Sequence, residues 1–305
     1  MKTSRANIGI IGTGAVGQFL GAALSGDANV LWFSRSAKIT PEEIRITGFR
    51  DWSVPGPRIV ATQAGMRSSL IQKLDACFVA VREDQLSSVF PLLGAFSPKL
   101  PIVLVQNGLG ILGRIASGGI TQPDRLLRML CRFGVVKEGE WSTRLSGSFG
   151  ATLAPAGTLA EEIGKILRSA GFDISSATSV LDAEWQKAVI NLFVNPLCTL
   201  QGRSNAAVIE DPDLRAEAVA LVSEAIAVAQ CEGIDLSHWT EERLVEGVGP
   251  FRSNTNSDLV GVRFGIRPLM DSLLGEITRR AAKYGVPVPG IADVQRRLTE
   301  QFAAL

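Results

Sequence analysis

The 305-residue chain has a single histidine, His238, and a single tyrosine, Tyr284. One imidazole cannot form a histidine metal cluster, so no metal is expected, and most histidine-based acid–base schemes are closed. The four cysteines, Cys77, Cys131, Cys198 and Cys231, are widely spaced and form no CxxC pair. They read as reduced thiols of a cytoplasmic protein rather than a disulfide or zinc framework. An excess of charge is missing as well: 31 Lys and Arg against 30 Asp and Glu leave a net charge of +1. That balance argues against nucleic acid as a partner, because nothing is left over to neutralise a phosphate backbone. No run of about 18 apolar, charge-free residues suggests a membrane span. The start imitates a secretory leader, with Lys2 and Arg5 ahead of an apolar stretch, but Gly9, Gly12, Gly14, Gly17 and Gln18 interrupt it. With 46% hydrophobic and 20% charged residues, the chain has too much apolar surface to stay disordered.

What is present is alternation. NIGII at 7–11 is a short β-branched run, followed by GTGAVG at 12–17 and the helix-forming FLGAALSG. Val30–Phe33 is a second apolar run, ending at Ser34-Arg35-Ser36; Asp75–Val81 is a third and Pro101–Val105 a fourth. Turn residues and helical patterning lie between them. This rhythm predicts parallel strands joined by crossover helices, an α/β fold. The stretches 133–137 and 148–153 are expected to close the sheet. Thr158 and Glu161 are spaced as a capping box for a helix that Gly171 ends. From about 180 the pattern is helical. One helix is expected over 180–200, one from Asp211-Pro212 to near Gly233, one capped by Ser237, one over 268–284 and a last one after Pro287 and Pro289. The expected division is a domain at 1–175 and an all-α domain at 176–305.

Strand, GTGAVG and helix together make the dinucleotide-binding arrangement of a Rossmann-type doubly wound sheet. Gly12 suits the tight turn, Gly14 a close backbone approach to pyrophosphate, and Gly17 the packing of helix on strand. Thr13, Ala15 and Val16 complete the turn whose N–H groups face the phosphates. An NAD site would place a carboxylate at the end of the second strand; Arg35 stands there instead, and no Asp or Glu follows until Glu42. A guanidinium pairs with a 2′-phosphate that an acid would repel, so NADPH is favoured. The other reading of Arg35 is a solvated loop charge. Arg82, just past the third strand, sits at the same edge and adds charge there.

Residues 184–200 read EWQKAVINLFVNPLCTL. Lys187, Asn191 and Asn195 fall at i, i+4 and i+8, one face of a helix. Either that face lines a polar cleft or it is a partly exposed stripe, and the segment alone does not decide between them. Pro196 is expected to kink or end the helix. QNGLG at 106–110 follows the fourth strand directly, where open α/β sheets bind ligands. Taken alone, Asn107-Gly108 is equally an ordinary turn.

Together these segments resemble the ketopantoate reductase family, and the resemblance covers essentially the whole chain. It rests on GTGAVGQFLGAAL, VREDQ at 81–85, QNGLG, EWQKAVINLFVNPLCTL and AAKYGVPVPG at 281–290. The resemblance implies Lys187 as general acid, Asn191 as a substrate contact, and Asn107 as a contact to substrate and cofactor. It implies Arg35 and Arg82 at the NADPH phosphates, with Asn195 a further substrate-site residue on the Lys187 face. The family's carboxylate-binding serine matches Ser257 best. Its glutamate, thought to hold a substrate hydroxyl, is replaced by Leu269, which puts ketopantoate itself in question but not reduction of some 2-oxo acid.

The implied reaction is NADPH-dependent reduction of a small 2-oxo acid, 2-dehydropantoate first among them, to the 2-hydroxy acid. Lys187 gives the proton, since His238 reads as a surface residue at a helix start and Tyr284 lacks a Tyr-x-x-x-Lys pattern. Ser257 and Arg263 are candidates for the substrate carboxylate, and closure of a cleft between the halves would exclude water. Two alternatives stand beside it: an NAD(P)-dependent 3-hydroxy acid dehydrogenase and a non-catalytic NADPH sensor. No membrane association is expected, and the apolar helical half is compatible with a homodimer.

Overall fold

The computed structural model describes residues 5–35, 41–56, 58–61, 69–120, 122–147, 149–268 and 270–305. The chain divides into two units, one of residues 1–107 with 111–180 and one of residues 108–110 with 181–305.

In the first unit the strands β1 (Ala6–Ile11), β2 (Ala28–Ser34), β5 (Arg58–Ala61), β6 (Ala76–Val79), β7 (Ile102–Leu104), β8 (Leu126–Cys131), β11 (Gly150–Ala154) and β12 (Asp173–Ser176) form one sheet. Their order is β12-β11-β8-β7-β6-β1-β2-β5. β11 pairs antiparallel with β8, while β7, β6, β1, β2 and β5 run parallel to β8. Successive side chains leave a strand on opposite faces, so the near-continuous apolar runs feed two cores at once. Ala76 and Phe78 of β6 enter one core with Ile8, Ile10, Val103 and Leu127. Cys77 and Val79 enter the other with Ile11, Ile102 and Leu104. The sheet is therefore doubly wound, the α/β class expected from the alternation.

Several local expectations change. The segment after β2 does not hold only helical connection: β3 (Glu43–Gly48) and β4 (Trp52–Pro55) pair antiparallel, with Ile44 and Ile46 fully buried on alternate positions. The stretch 133–137, expected in the main sheet, falls instead on β9 (Gly134–Gly139), which pairs with β10 (Ser142–Ser146) in a second sheet of order β4-β3-β10-β9. This sheet covers the helix Ala15–Leu24, and Ile44, Ile46 and Leu145 share a core with Phe19 and Leu20 of that helix. The capping box at Thr158 does not form. Gly157 (φ +148°) is the cap residue of the helix Thr158–Ser169, so Thr158 is already inside the first turn.

The second unit is helical. Val180–Gln201 is one continuous helix that passes through Pro196. The proline removes one backbone donor, but Phe193, Leu197 and Cys198 around it are fully buried and hold the helix in place. Asp211 caps Pro212–Cys231 as expected, accepting from the Leu214 N–H at 3.2 Å. The next helix begins at Glu241 with Thr240 as its cap, not at Ser237, whose hydroxyl and N–H both bind the Asp235 carboxylate. The expected helix over 268–284 is a π-helical turn, Asp271–Gly275, continued by the α-helix Glu276–Tyr284. Pro289–Gln301 follows. Among the described residues, no helix is long and apolar enough to cross a membrane.

Candidate active site

The strand register gathers one set of candidates along one edge of the first unit. Ile11 lies level with Phe33 and with Val79, and Val79 with Leu104, so four parallel strands end together. Gly12–Gly17, Arg35, Arg82 and Asn107 follow these ends, the place where open α/β sheets take ligands. Gly12 has φ +109°, and a Cβ there would lie 2.7 Å from the Ala80 carbonyl oxygen. A Cβ on Gly17 would fall 2.2 Å from the carbonyl oxygen of Gly12, whereas at Gly14 it would meet nothing within 4 Å. Gly14 also begins the helix Ala15–Leu24 without a side-chain cap, leaving the first-turn N–H groups and the positive helix end for an anion. The cradle fits a pyrophosphate. Arg35 is exposed at the end of β2. Arg82 is half-buried and donates to Asp84 at 3.3 Å, so part of its charge is engaged within the chain.

Three supporting side chains escaped the reading of the sequence. Buried Gln18 donates through its amide to the Thr13 carbonyl at 3.0 Å and to the Glu140 carbonyl at 2.7 Å, tying the glycine loop to the second sheet. Gln106 donates to the carbonyls of Val79 and Val81, 2.8 and 3.1 Å away, and joins the ends of β6 and β7. Fully buried Arg128 on β8 donates to the carbonyls of Leu104 and Gln106. A polar residue placed immediately after an apolar strand was the available signal for Gln106. A lone arginine inside the apolar run LLRMLC was the signal for Arg128.

In the second unit Lys187, Asn191 and Asn195 are each half-buried on the helix Val180–Gln201. Asn195 donates to the Asp258 carboxylate at 3.4 Å. Thr199, one turn on, donates to Asn256, which caps the helix Ser257–Arg263 by accepting from the N–H groups of Asp258 and Leu259. This helix thus brings Asn195 to the segment bearing Ser257, whose side chain is exposed; Arg263 is exposed at the far end. Leu269 lies outside the described residues. One turn before Lys187, Glu184 is only 3% exposed and accepts from the Gly110 N–H at 2.8 Å. Extending the polar stripe backwards by one turn would have found it.

His238 is not a free surface residue at a helix start. It is half-buried, with Nε2 3.0 Å from Gln186 Oε1, an oxygen that also accepts from Trp239 Nε1 at 2.7 Å. Among the described residues, no three His, Cys, Asp or Glu side chains converge as a metal site. Burial pushes the Cys198 thiol up to about 11 and raises Cys77 as well, so neither offers a thiolate nucleophile at neutral pH.

Residues 8–157 match the family model for ketopantoate reductase PanE/ApbA, and residues 179–300 match the model for its C-terminal part. The chain is 24% identical to the 2-dehydropantoate 2-reductase of Halobacterium salinarum over 295 residues, covering 93% of this chain and 96% of that protein. It is 26% identical to the 2-dehydropantoate 2-reductase of Mycobacterium tuberculosis over 289 residues, covering 94% of each. Among solved structures, 2-dehydropantoate 2-reductase from Geobacter metallireducens GS-15 superposes with a TM-score of 0.86 at 19% identity, over 97% of this chain and 99% of that one. The ternary structure of D-mandelate dehydrogenase with NADH and anilino(oxo)acetate superposes at 0.85 with 18% identity, over 98% and 99%. The dimeric ketopantoate reductase of Staphylococcus aureus does so at 0.77 with 18% identity, over 98% and 99%. At these identities the likeness to solved structures is one of fold.

Proposed function

The chain belongs to the ketopantoate reductase family, NAD(P)H-dependent oxidoreductases acting on CH–OH groups, and from that premise we propose that it reduces a small 2-oxo acid with NADPH, the proton coming from Lys187. The observation that carries this reading is the half-buried row of Lys187, Asn191 and Asn195 on one helical face, its last member bonded to Asp258 beside Ser257. An ammonium and two amides on one face offer positive charge and N–H donors of the kind that a small anionic oxo acid accepts from.

Bound NADPH supplies the hydride that reaches the 2-oxo carbon. The Gly12–Gly17 turn holds the pyrophosphate through Thr13, Gly14, Ala15 and Val16. Arg35 reads the 2′-phosphate, and Arg82, shared with Asp84, contributes less. The Lys187 ammonium transfers a proton to the carbonyl oxygen as the C=O bond becomes C–OH, and the resulting amine regains a proton from solvent. Asn107 and Asn191 donate amide hydrogens that orient the oxo acid without adding charge. Asn195 supports the same face, and Ser257 takes the carboxylate, with Arg263 at the far end of its helix adding only positive charge. A homodimer is part of this reading, tested by light scattering in solution.

The substrate has a second reading. Leu269 replaces the family's hydroxyl-binding glutamate, which favours a 2-oxo acid lacking that hydroxyl; an unpaired hydroxyl costs about 1–3 kcal/mol. The test is an NADPH-oxidation screen over hydroxylated, branched and aromatic 2-oxo acids, ketopantoate included, run with wild type and Lys187→Ala. Turnover lost by about 10²–10⁴-fold with NADPH binding kept supports the reading. A protein that oxidises NADPH with no 2-oxo acid, or works only on 3-hydroxy acids, overturns it. An unchanged Lys187→Ala variant does the same.

A further inference from the structure

Residues 108–110, which follow Asn107 directly, are seated on the helical unit at three consecutive positions. Gly108 has φ +106° and packs so closely on Ser272 that a Cβ would lie 2.5 Å from that side chain. The Leu109 N–H donates to the Ser272 carbonyl at 3.0 Å, and the Leu109 side chain is fully buried in one core with Trp185. The Gly110 N–H donates to the Glu184 carboxylate at 2.8 Å. Gly110 has φ +71°, and a Cβ there would meet Arg280 and Glu276, each at 3.1 Å. Ser272 belongs to the π-helical turn Asp271–Gly275, a departure from regular helix that is frequent at functional sites. Glu184 stands three residues before Lys187 on the same helix, so one carboxylate ties the strap to the element that carries the lysine.

Resting on the reductase reading above, we propose that Glu184 is a positioning residue: by anchoring Gly110 it fixes the strap peptide-bonded to Asn107 relative to the Lys187 helix. A carboxylate this buried is expensive to keep, and a charge-assisted hydrogen bond to a backbone N–H holds position more firmly than a neutral one. Reduction needs the group that orients the carbonyl and the group that protonates it to keep a fixed spacing. A displacement of about 1 Å away from the reacting atoms is enough to cost about 10²-fold in rate.

The test compares wild type with Glu184→Gln and Glu184→Leu, reading NADPH affinity by fluorescence titration, kcat and KM for the best oxo acid, and thermal midpoint. Glu184→Gln keeps an oxygen that accepts from Gly110, and its kcat is expected within about threefold of wild type. Glu184→Leu has no acceptor; its kcat is expected to fall about 10–100-fold while NADPH affinity stays within about threefold. A folded Glu184→Leu as active as wild type overturns the proposal, and so does an equal loss in both variants. Amide exchange at Gly110 reads the anchor without turnover, and protection of that N–H retained in Glu184→Leu also overturns it. Should Glu184→Leu not fold, Gly108→Ala displaces the same strap against Ser272, and full activity in that variant rejects the role. A wild type inactive on every 2-oxo acid rejects the reductase reading itself. An active wild type with indifferent variants rejects only the role of Glu184.

Discussion

Gly17 and Gly12 touch through what is missing from one of them: a Cβ on Gly17 would sit 2.2 Å from the Gly12 carbonyl oxygen. Gly14, between them, has open space on that side and an extended backbone that any residue adopts (φ −73°, ψ −179°). The two glycines therefore answer to different demands. Gly17→Ala is expected to damage the fold, with overpacking of about 1–3 kcal/mol seen as a lower thermal midpoint. Gly14→Ala is expected to keep the midpoint and lose NADPH affinity about tenfold or more, because its methyl group stands where the pyrophosphate approaches. Calorimetry and fluorescence titration of both variants check the division. Equal midpoints with equal affinities would show that neither contact matters.

Arg35 is exposed at the end of β2 with no carboxylate in the NAD-selecting position. A hydrogen bond to a charged group is worth about 1.5–3 kcal/mol, so Arg35→Ala is expected to weaken NADPH by about 10–100-fold and NADH by less than about twofold. The Arg82→Ala effect should be smaller, since Arg82 already donates to Asp84. Paired titrations with the two nucleotides decide the matter; equal weakening of both would mean that Arg35 does not read the 2′-phosphate.

Much of this arrangement was legible in the residues, because its signals are local. The apolar runs of β1, β2, β6 and β7 and the glycine spacing define which elements exist and where their ends lie. The i, i+4, i+8 row of Lys187, Asn191 and Asn195 needs only helical periodicity. What stayed hidden depends on partners that spacing does not name. Gly134–Gly139 has strand character in either sheet, and only its pairing with Ser142–Ser146 assigns it to the second. Thr158 has the right neighbours for a capping box, but positive φ at Gly157 starts the helix one residue earlier. Glu184, Gln106 and Arg128 act through backbone groups tens of residues away, which no sequence window contains.

Glu232 joins two elements of the helical unit by accepting from Trp185 Nε1 at 2.9 Å and from Arg280 at 2.6 Å, with only 8% of its side chain exposed. Glu232→Ala strands a buried indole N–H and leaves Arg280 with Glu276 alone of the two carboxylates. The expected cost is about 2–3 kcal/mol, below the full penalty for breaking a buried pair because Glu276 remains. Burial lowers the Arg280 pKa, but Glu232 and Glu276 outweigh it and hold the group above its ordinary value. A raised pKa gives stability that is complete below the unfolded value and is lost only as pH climbs through the folded one. The cost measured by denaturant titration should therefore be the same at about pH 6 and pH 9. A cost that halves across that range would contradict the assignment to this cation.

The four cysteines differ enough in surroundings to be counted separately. Cys231 is exposed, Cys131 half-buried, and Cys77 and Cys198 buried. Burial holds the Cys198 thiol at about 11, leaving roughly 0.1% thiolate at about pH 8, and it raises Cys77 too. Since the thiolate is the reacting form, a disulfide reagent at that pH should label Cys231 first and Cys131 more slowly. Cys77 and Cys198 should react only after unfolding, when all four become accessible and return to ordinary thiol acidity. Cys231→Ser should abolish the fast phase and leave the amplitude on unfolding one thiol lower. If the native protein instead released two or more equivalents at the fast rate, the packing around Cys198 on the Lys187 helix would have to be looser than its full burial implies.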